Sequence, residues 1–190
     1  MKDEVLAELP DILKEHTCTM KKASTDSAKN ENMTECMIKV IDFDKIPNEY
    51  SRGKGWSSVP TSNDALYRDI EGKWTFIEFK NGTLKTADIY RKIYDSLIML
   101  IDIGIVKDFQ YIRDNFNYIL VYNDEKNKKI QKSESRDLIY RNIMERAKQE
   151  EKILDIGKLE GYLFKETHTF TKKQFNDRFI QLMEEQENDF

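Results

Sequence analysis

Two cysteines, two histidines, three prolines and seven glycines in 190 residues put several kinds of protein out of reach. Cys18 and Cys36 lie in segments of Lys, Ser and Asn without metal-type spacing, so neither a disulfide framework nor a zinc knuckle is indicated, and both are expected to be reduced thiols. His16 and His168 are far apart, and neither has a partner at metal or general-base spacing. Long apolar runs are also missing. The best, Leu97 to Val106, is interrupted by Asp102 and is half the length a membrane span needs. The acidic start Met1, Lys2, Asp3, Glu4 leads into no sustained apolar stretch, which argues against a signal peptide. A cytoplasmic protein that does not engage a membrane is therefore expected. With 31 basic against 35 acidic residues and a net charge of −4, the chain has no polybasic coat for nucleic acid, although a local positive site on an acidic body stays open.

What is present suits one domain with a real core, because 39% of the residues are apolar. Apolar residues at helical spacing over 3–15, with Pro10 inside the run, predict a short or kinked helix. Lys21 to Asn32 is almost wholly polar and reads as a mobile loop. The organisation expected is thus an N-terminal helix and mobile polar loop over 1–34, followed by the main domain over 35–190. In that domain Met37 to Phe43 reads as a strand, Asp44 to Tyr50 as a turn entering a short helix, and Ser51 to Ser58 as a Gly-rich basic loop. Asp64–Ile70 and Lys73–Lys80 flank Glu71 and Gly72 as a β-hairpin. Leu84 to Ile103 places Ile89, Ile93, Leu97, Leu100 and Ile101 on one helical stripe, with Gly104 just beyond. Phe116 to Tyr122 reads as a central strand covered on both faces, Ser133 to Lys148 as a helix, Glu160 to Phe170 as a strand, and Lys172 to Glu187 as a closing amphipathic helix. This order predicts an α/β fold with a mixed sheet flanked by helices.

An acid, any residue, then lysine is a triplet that can hold a divalent cation and set an ammonium beside a phosphate. In so charged a chain random order yields about four such triplets, and four are present, so the triplet alone carries no information. Context separates them. Glu71/Lys73 straddles the hairpin turn, Asp124/Lys126 lies in a polar loop and Glu150/Lys152 on a charged helix end. Glu78/Lys80 alone lies inside a strand, on one face with Trp74 and Phe76, where charges are costly unless paired with each other, with a neighbouring strand or with a metal.

A metal needs a second hard ligand, and Asp64 and Asp69 are the candidates. If the turn has three residues with Gly72 left-handed, Asp69 pairs with Lys73 and Asp64 faces Glu78, their β-carbons about 5 Å apart. In a two-residue turn Asp69 would oppose Trp74, roughly 13 Å along the strand from Glu78. Asp64 is the better ligand. Asp42 and Asp44 also look like a carboxylate pair, which alternation after a strand explains about as well.

Pro60, Asp64 and the run Ile77, Glu78, Phe79, Lys80, followed by a long helix, resemble the PD-(D/E)xK nuclease superfamily over roughly residues 38 to 122. Pro60 stands four residues before Asp64 rather than beside it, a departure from the motif. The resemblance implies a restriction-endonuclease-like fold and a nuclease that cleaves DNA or RNA with Mg²⁺ or Mn²⁺. Asp64, Glu78 and the carbonyl of Phe79 would hold the metal, Lys80 would orient or activate the attacking water, and Glu49 would stand as a further ligand. Residues 45–92 carry nine basic against six acidic side chains, and Arg52, Lys54, Lys85 and Lys92 are the expected phosphate contacts. A homodimer would let two sites cut both strands. The competing expectation is a nuclease-like fold without activity, kept as a protein-binding module such as a phage inhibitor or immunity partner.

Overall fold

A computed structural model describes residues 1–127 and 152–188. The helix expected over Ser133 to Lys148 lies outside them. Pro10 lacks an amide hydrogen and fixes its own φ, so the expected kinked helix is two short ones, α1 (Asp3–Ala7) and α2 (Asp11–Lys14), which bury Val5 and Leu13.

The division at residue 34 is corrected by the structure. Thr17–Thr19 form β1, which pairs antiparallel with β4 (Lys39–Asp42), so the N-terminal segment supplies an edge strand of the main sheet. The stretch read as a mobile polar loop instead holds helix α3 (Met20–Ala23) and a small hairpin of β2 (Thr25–Asp26) and β3 (Glu31–Asn32). The polar composition hides two anchors. Met20 and Met33 are buried, and the Ser24 hydroxyl accepts from the amides of Met33 and Thr34 while donating to the carbonyl of Lys21.

After β4 a 3-10 turn (Phe43–Lys45) runs into α4 (Ile46–Lys54), which starts with Pro47 in its first turn and ends at Gly55, left-handed at φ 68°. Arg52 and Lys54 therefore sit on the last turn of a helix rather than in a loop. β5 (Ala65–Arg68) and β6 (Trp74–Lys80) form the expected hairpin. Gly72 has φ 83°, its amide donates to Asp69 O at 3.2 Å, and Asp69 N donates to Lys73 O at 2.9 Å. The register Ala65 with Ile77, continued by one pair, sets Asp64 opposite Glu78.

The expected long helix is α5 (Thr86–Asp102), and Gly104 follows it at φ 77°. A helix that periodicity did not reveal, α6 (Phe109–Asn115), is capped by the Asp108 carboxylate, which accepts from Tyr111 N at 2.8 Å; its seven residues bury only Ile112. β7 (Phe116–Tyr122) lies parallel to β6, and β8 (Glu166–Thr171) parallel to β7. The C-terminal segment runs as α7 (Lys172–Phe175), a π-type turn (Asn176–Ile180) and α8 (Gln181–Asn188).

Among the described residues six strands form one mixed sheet in the order β1-β4-β5-β6-β7-β8. Alternation along β6 sends Phe76 and Glu78 to the face covered by α5 and Phe79 to the face where Phe175 of α7 meets it edge-on at 5.6 Å. Helices thus cover both faces, and β6 and β7 are buried along nearly their whole length. No described helix is long and apolar enough to cross a membrane. Cys18 and Cys36 are both free of disulfides.

Candidate active site

β6 is central, so the carboxylate of Glu78 is fully enclosed, with 0% of its side chain exposed. Across the hairpin Asp64 turns toward the same point. From α5, Lys92 reaches between the two, its Nζ 2.9 Å from Asp64 Oδ1 and 2.8 and 3.0 Å from the Glu78 oxygens. Lys80 Nζ lies 3.0 Å from Glu78 Oε1 and is the more open of the two amines, at 27% exposed against 19% for Lys92. The second oxygen of Asp64 accepts from the amide of Phe79 at 2.6 Å. Two carboxylates and two ammonium groups thus meet on one face of the sheet.

Burial pushes the Glu78 carboxyl up to about 8; the nearby Asp64 charge adds to this, while Lys92 and Lys80 oppose it. Burial works against the charge on Lys92, but Asp64 and Glu78 more than offset it and hold that amine protonated well above the ordinary lysine range. Asp44 is raised as well, by burial first and by Asp64 second. Beneath the pair lies Tyr118, wholly buried, its phenol raised by burial and then by the charges of Glu78 and Asp64. Among the described residues its hydroxyl has no hydrogen-bond partner.

A short extended segment holds Asp64 in place. Asp95 of α5 accepts from both the amide and the hydroxyl of Thr61, at 2.9 and 2.7 Å, and Ser96 Oγ accepts from Asn63 N at 3.0 Å. On the other side Ser62 donates to Asp44 at 2.9 Å, and Asp64 O accepts from Phe43 N at 3.0 Å. α5 therefore supplies both the cation at the carboxylates and the clamp on the strand that carries one of them. Asp95→Ala removes a charged acceptor from two donors and is expected to cost about 2–3 kcal/mol, a fall in Tm of about 5–10 °C. Asp95→Asn, which keeps one acceptor, should lose about half of that; thermal denaturation of the two variants checks it.

The site opens into a cleft of about 510 Å³ whose lining includes Asp26, Asp44, Asp64, Phe79, Lys80 and Asn81. Its outer wall is the β2–β3 hairpin, tied to the end of β6 through Asn81, which donates to Asp26 at 3.1 Å and to Glu31 at 2.7 Å. Asn123, in turn, donates to Asn81 Oδ1 at 2.9 Å. The segment that composition marked as a loop is one side of the cleft.

The sequence-derived candidates divide into two groups. Asp64, Glu78, Phe79 and Lys80 come together. Glu49 does not join them: it is hydrogen-bonded to His16 Nε2 at 2.7 Å and lines a separate depression with Ile12, Tyr50, Arg52 and Lys54. Asp44 is a further carboxylate at the cleft, as is Asp26, which is bonded to Asn81. Lys54 is paired with Asp102 at 2.5 Å, and Lys92 is committed to the carboxylates rather than presented to solvent as a phosphate contact. Arg52 and Lys85 are exposed.

As they stand, no three His, Cys, Asp or Glu side chains among the described residues are grouped to hold a metal ion. Two carboxylates nonetheless converge on a single positive centre, which is the donor chemistry a hard cation takes. The centre they converge on is the Lys92 ammonium. Comparison with protein-family models, with curated proteins and with solved structures gives no match to this chain.

Proposed function

We propose that this chain is a divalent-metal-dependent nuclease with a restriction-endonuclease-like, PD-(D/E)xK arrangement. The observation that carries the reading is the convergence of Asp64 and Glu78, opposite each other across the β5–β6 hairpin, with Lys80 3.0 Å from Glu78 and with Asp64 and Lys80 lining an open cleft. The surroundings support it: β4, β5 and β6 run antiparallel, α5 follows β6, and β7 lies parallel to β6, within a mixed sheet flanked by helices.

In this reading Asp64, Glu78 and the Phe79 carbonyl would hold Mg²⁺ or Mn²⁺, which supplies a polarised phosphate and a more acidic bound water. Lys80 lies in the cleft and would hydrogen-bond the attacking water and offset negative charge on the phosphate during displacement. Asp44 would accept hydrogen bonds at the cleft edge and help to hold Ser62 and the Asp64 segment. Exposed Arg52 and Lys85 would meet the backbone of DNA or RNA at the periphery, without reading sequence.

One observation favours a second reading, a nuclease-like fold kept as a protein-binding module: Lys92 neutralises the carboxylates internally, as an inherited and retired site would be. A digest separates the two. The protein is incubated with single- and double-stranded DNA and RNA in Mg²⁺, Mn²⁺ or EDTA. Cleavage in either metal, none in EDTA and none by Asp64→Asn is the expected result, and intact substrates in every lane would favour the module.

A further inference from the structure

We propose that Lys92 is an exchangeable internal cation: its ammonium holds the point where Asp64 and Glu78 converge, and a divalent cation takes that point only as the Lys92 side chain swings out. The inference rests on the metal-dependent reading of the site and adds a gate to it.

Three observations carry it. All three contacts of the Lys92 ammonium, at 2.8 to 3.0 Å, go to the oxygens a metal would need, so the two cations exclude each other from one position. Glu78 is fully buried, so its ionised form needs a counter-charge; Lys80 gives it one contact and Lys92 gives it two. The charge balance also favours exchange over addition. Asp44, Asp64 and Glu78 face Lys80 and Lys92, so a divalent ion added beside Lys92 would leave excess positive charge, with like charges about 3 Å apart. With Lys92 withdrawn, one divalent ion and Lys80 balance the three carboxylates.

Lysine suits such a role. It is a compact point charge on a flexible four-carbon stem, and the Lys92 side chain is already 19% exposed. The metal-free protein then keeps its site closed, with the Lys92 ammonium held at the carboxylates. Its affinity for divalent ions is set by competition with a side chain rather than by carboxylates alone.

Two measurements test this. In the first, wild-type protein is reductively methylated with limiting formaldehyde and dimethylamine–borane, with and without saturating Mg²⁺, and each lysine is quantified by peptide mass spectrometry. Lys92 should be protected without metal and its modification should rise at least about fivefold with Mg²⁺, while exposed Lys85 stays constant. In the second, Mg²⁺ binding is measured by calorimetry on wild type, Lys92→Met and Lys92→Arg. Lys92→Met should bind at least about tenfold more tightly and Lys92→Arg no more tightly than wild type. The methylation arm needs no variant, so it decides the matter if Lys92→Met fails to fold. Mg²⁺ binding that Glu78→Gln abolishes, with Lys92 still protected in its presence, would overturn the exchange while leaving the nuclease reading in place. Absence of Mg²⁺ binding in both wild type and Lys92→Met would overturn the metal-dependent reading and the exchange with it.

Discussion

Glu78→Gln is expected to lower metal-dependent cleavage by at least about 10³-fold while the chain still folds. The substitution is isosteric, so packing between β5 and β7 is kept. What is lost is one of the two anionic ligands and half of the charge that holds Lys80 and Lys92 in place. The glutamine oxygen still accepts from Lys92, and the cost of burying a carboxylate disappears, so the two changes in stability oppose each other. A Tm within a few degrees of wild type, read with far-UV circular dichroism, would separate a loss of chemistry from a loss of fold. Lys80→Met should have a smaller effect on the rate, about 10²-fold, because it removes a group that assists the water rather than a metal ligand. Wild-type rates for Glu78→Gln would remove Glu78 from the site.

Phe76→Ala should produce the largest loss of stability of any substitution on β6. Phe76 is fully buried two residues before Glu78, on the same face, with its ring against Phe43 at 5.2 Å and Phe116 at 5.8 Å. Truncation leaves a cavity between the 3-10 turn after β4 and the start of β7, at a cost of about 3–5 kcal/mol. For a chain of this size that corresponds to a fall in Tm of about 10 °C or more, measurable by calorimetry or fluorescence. Phe76→Leu, which refills much of the volume, should recover most of it.

The hairpin shows what a sequence can disclose without relatives. A single glycine able to adopt positive φ, together with a residue count on each side, sets the register, and the register alone prefers Asp64 over Asp69. β7 was equally legible, because seven nearly continuous β-branched and aromatic residues have few other places to go. The place of Lys92 is legible too, although its charge alone suggests a phosphate contact. It falls three residues after Ile89 and four before Ser96, both buried, so the helical period itself puts this lysine on the core-facing stripe of α5. A charged residue on such a stripe calls for a buried counter-charge, and the carboxylates on β6 and before β5 are the ones within reach.

Other features carried no such signal. Glu49 is an upstream carboxylate only by the resemblance, whereas its direction is set by how α4 packs and by a hydrogen bond to His16, thirty-three residues earlier. Asp44 is drawn to the cleft by the turn after β4 and by Ser62, neither of which is a periodic feature. The β2–β3 hairpin is polar on nearly every position, and composition alone could not distinguish it from a loop. Its order comes from two buried methionines, Ser24 and the tie through Asn81.

Whether the Asp64–Glu78 pair holds a metal is decided by a calorimetric titration of Mn²⁺ into wild type and Asp64→Asn, both prepared free of metal. Wild type should bind Mn²⁺ at the Asp64–Glu78 site, and Asp64→Asn, still folded, should lose that binding. If wild type takes up no Mn²⁺, or if Asp64→Asn binds it as tightly, the carboxylate pair is not a metal site and the nuclease reading is contradicted.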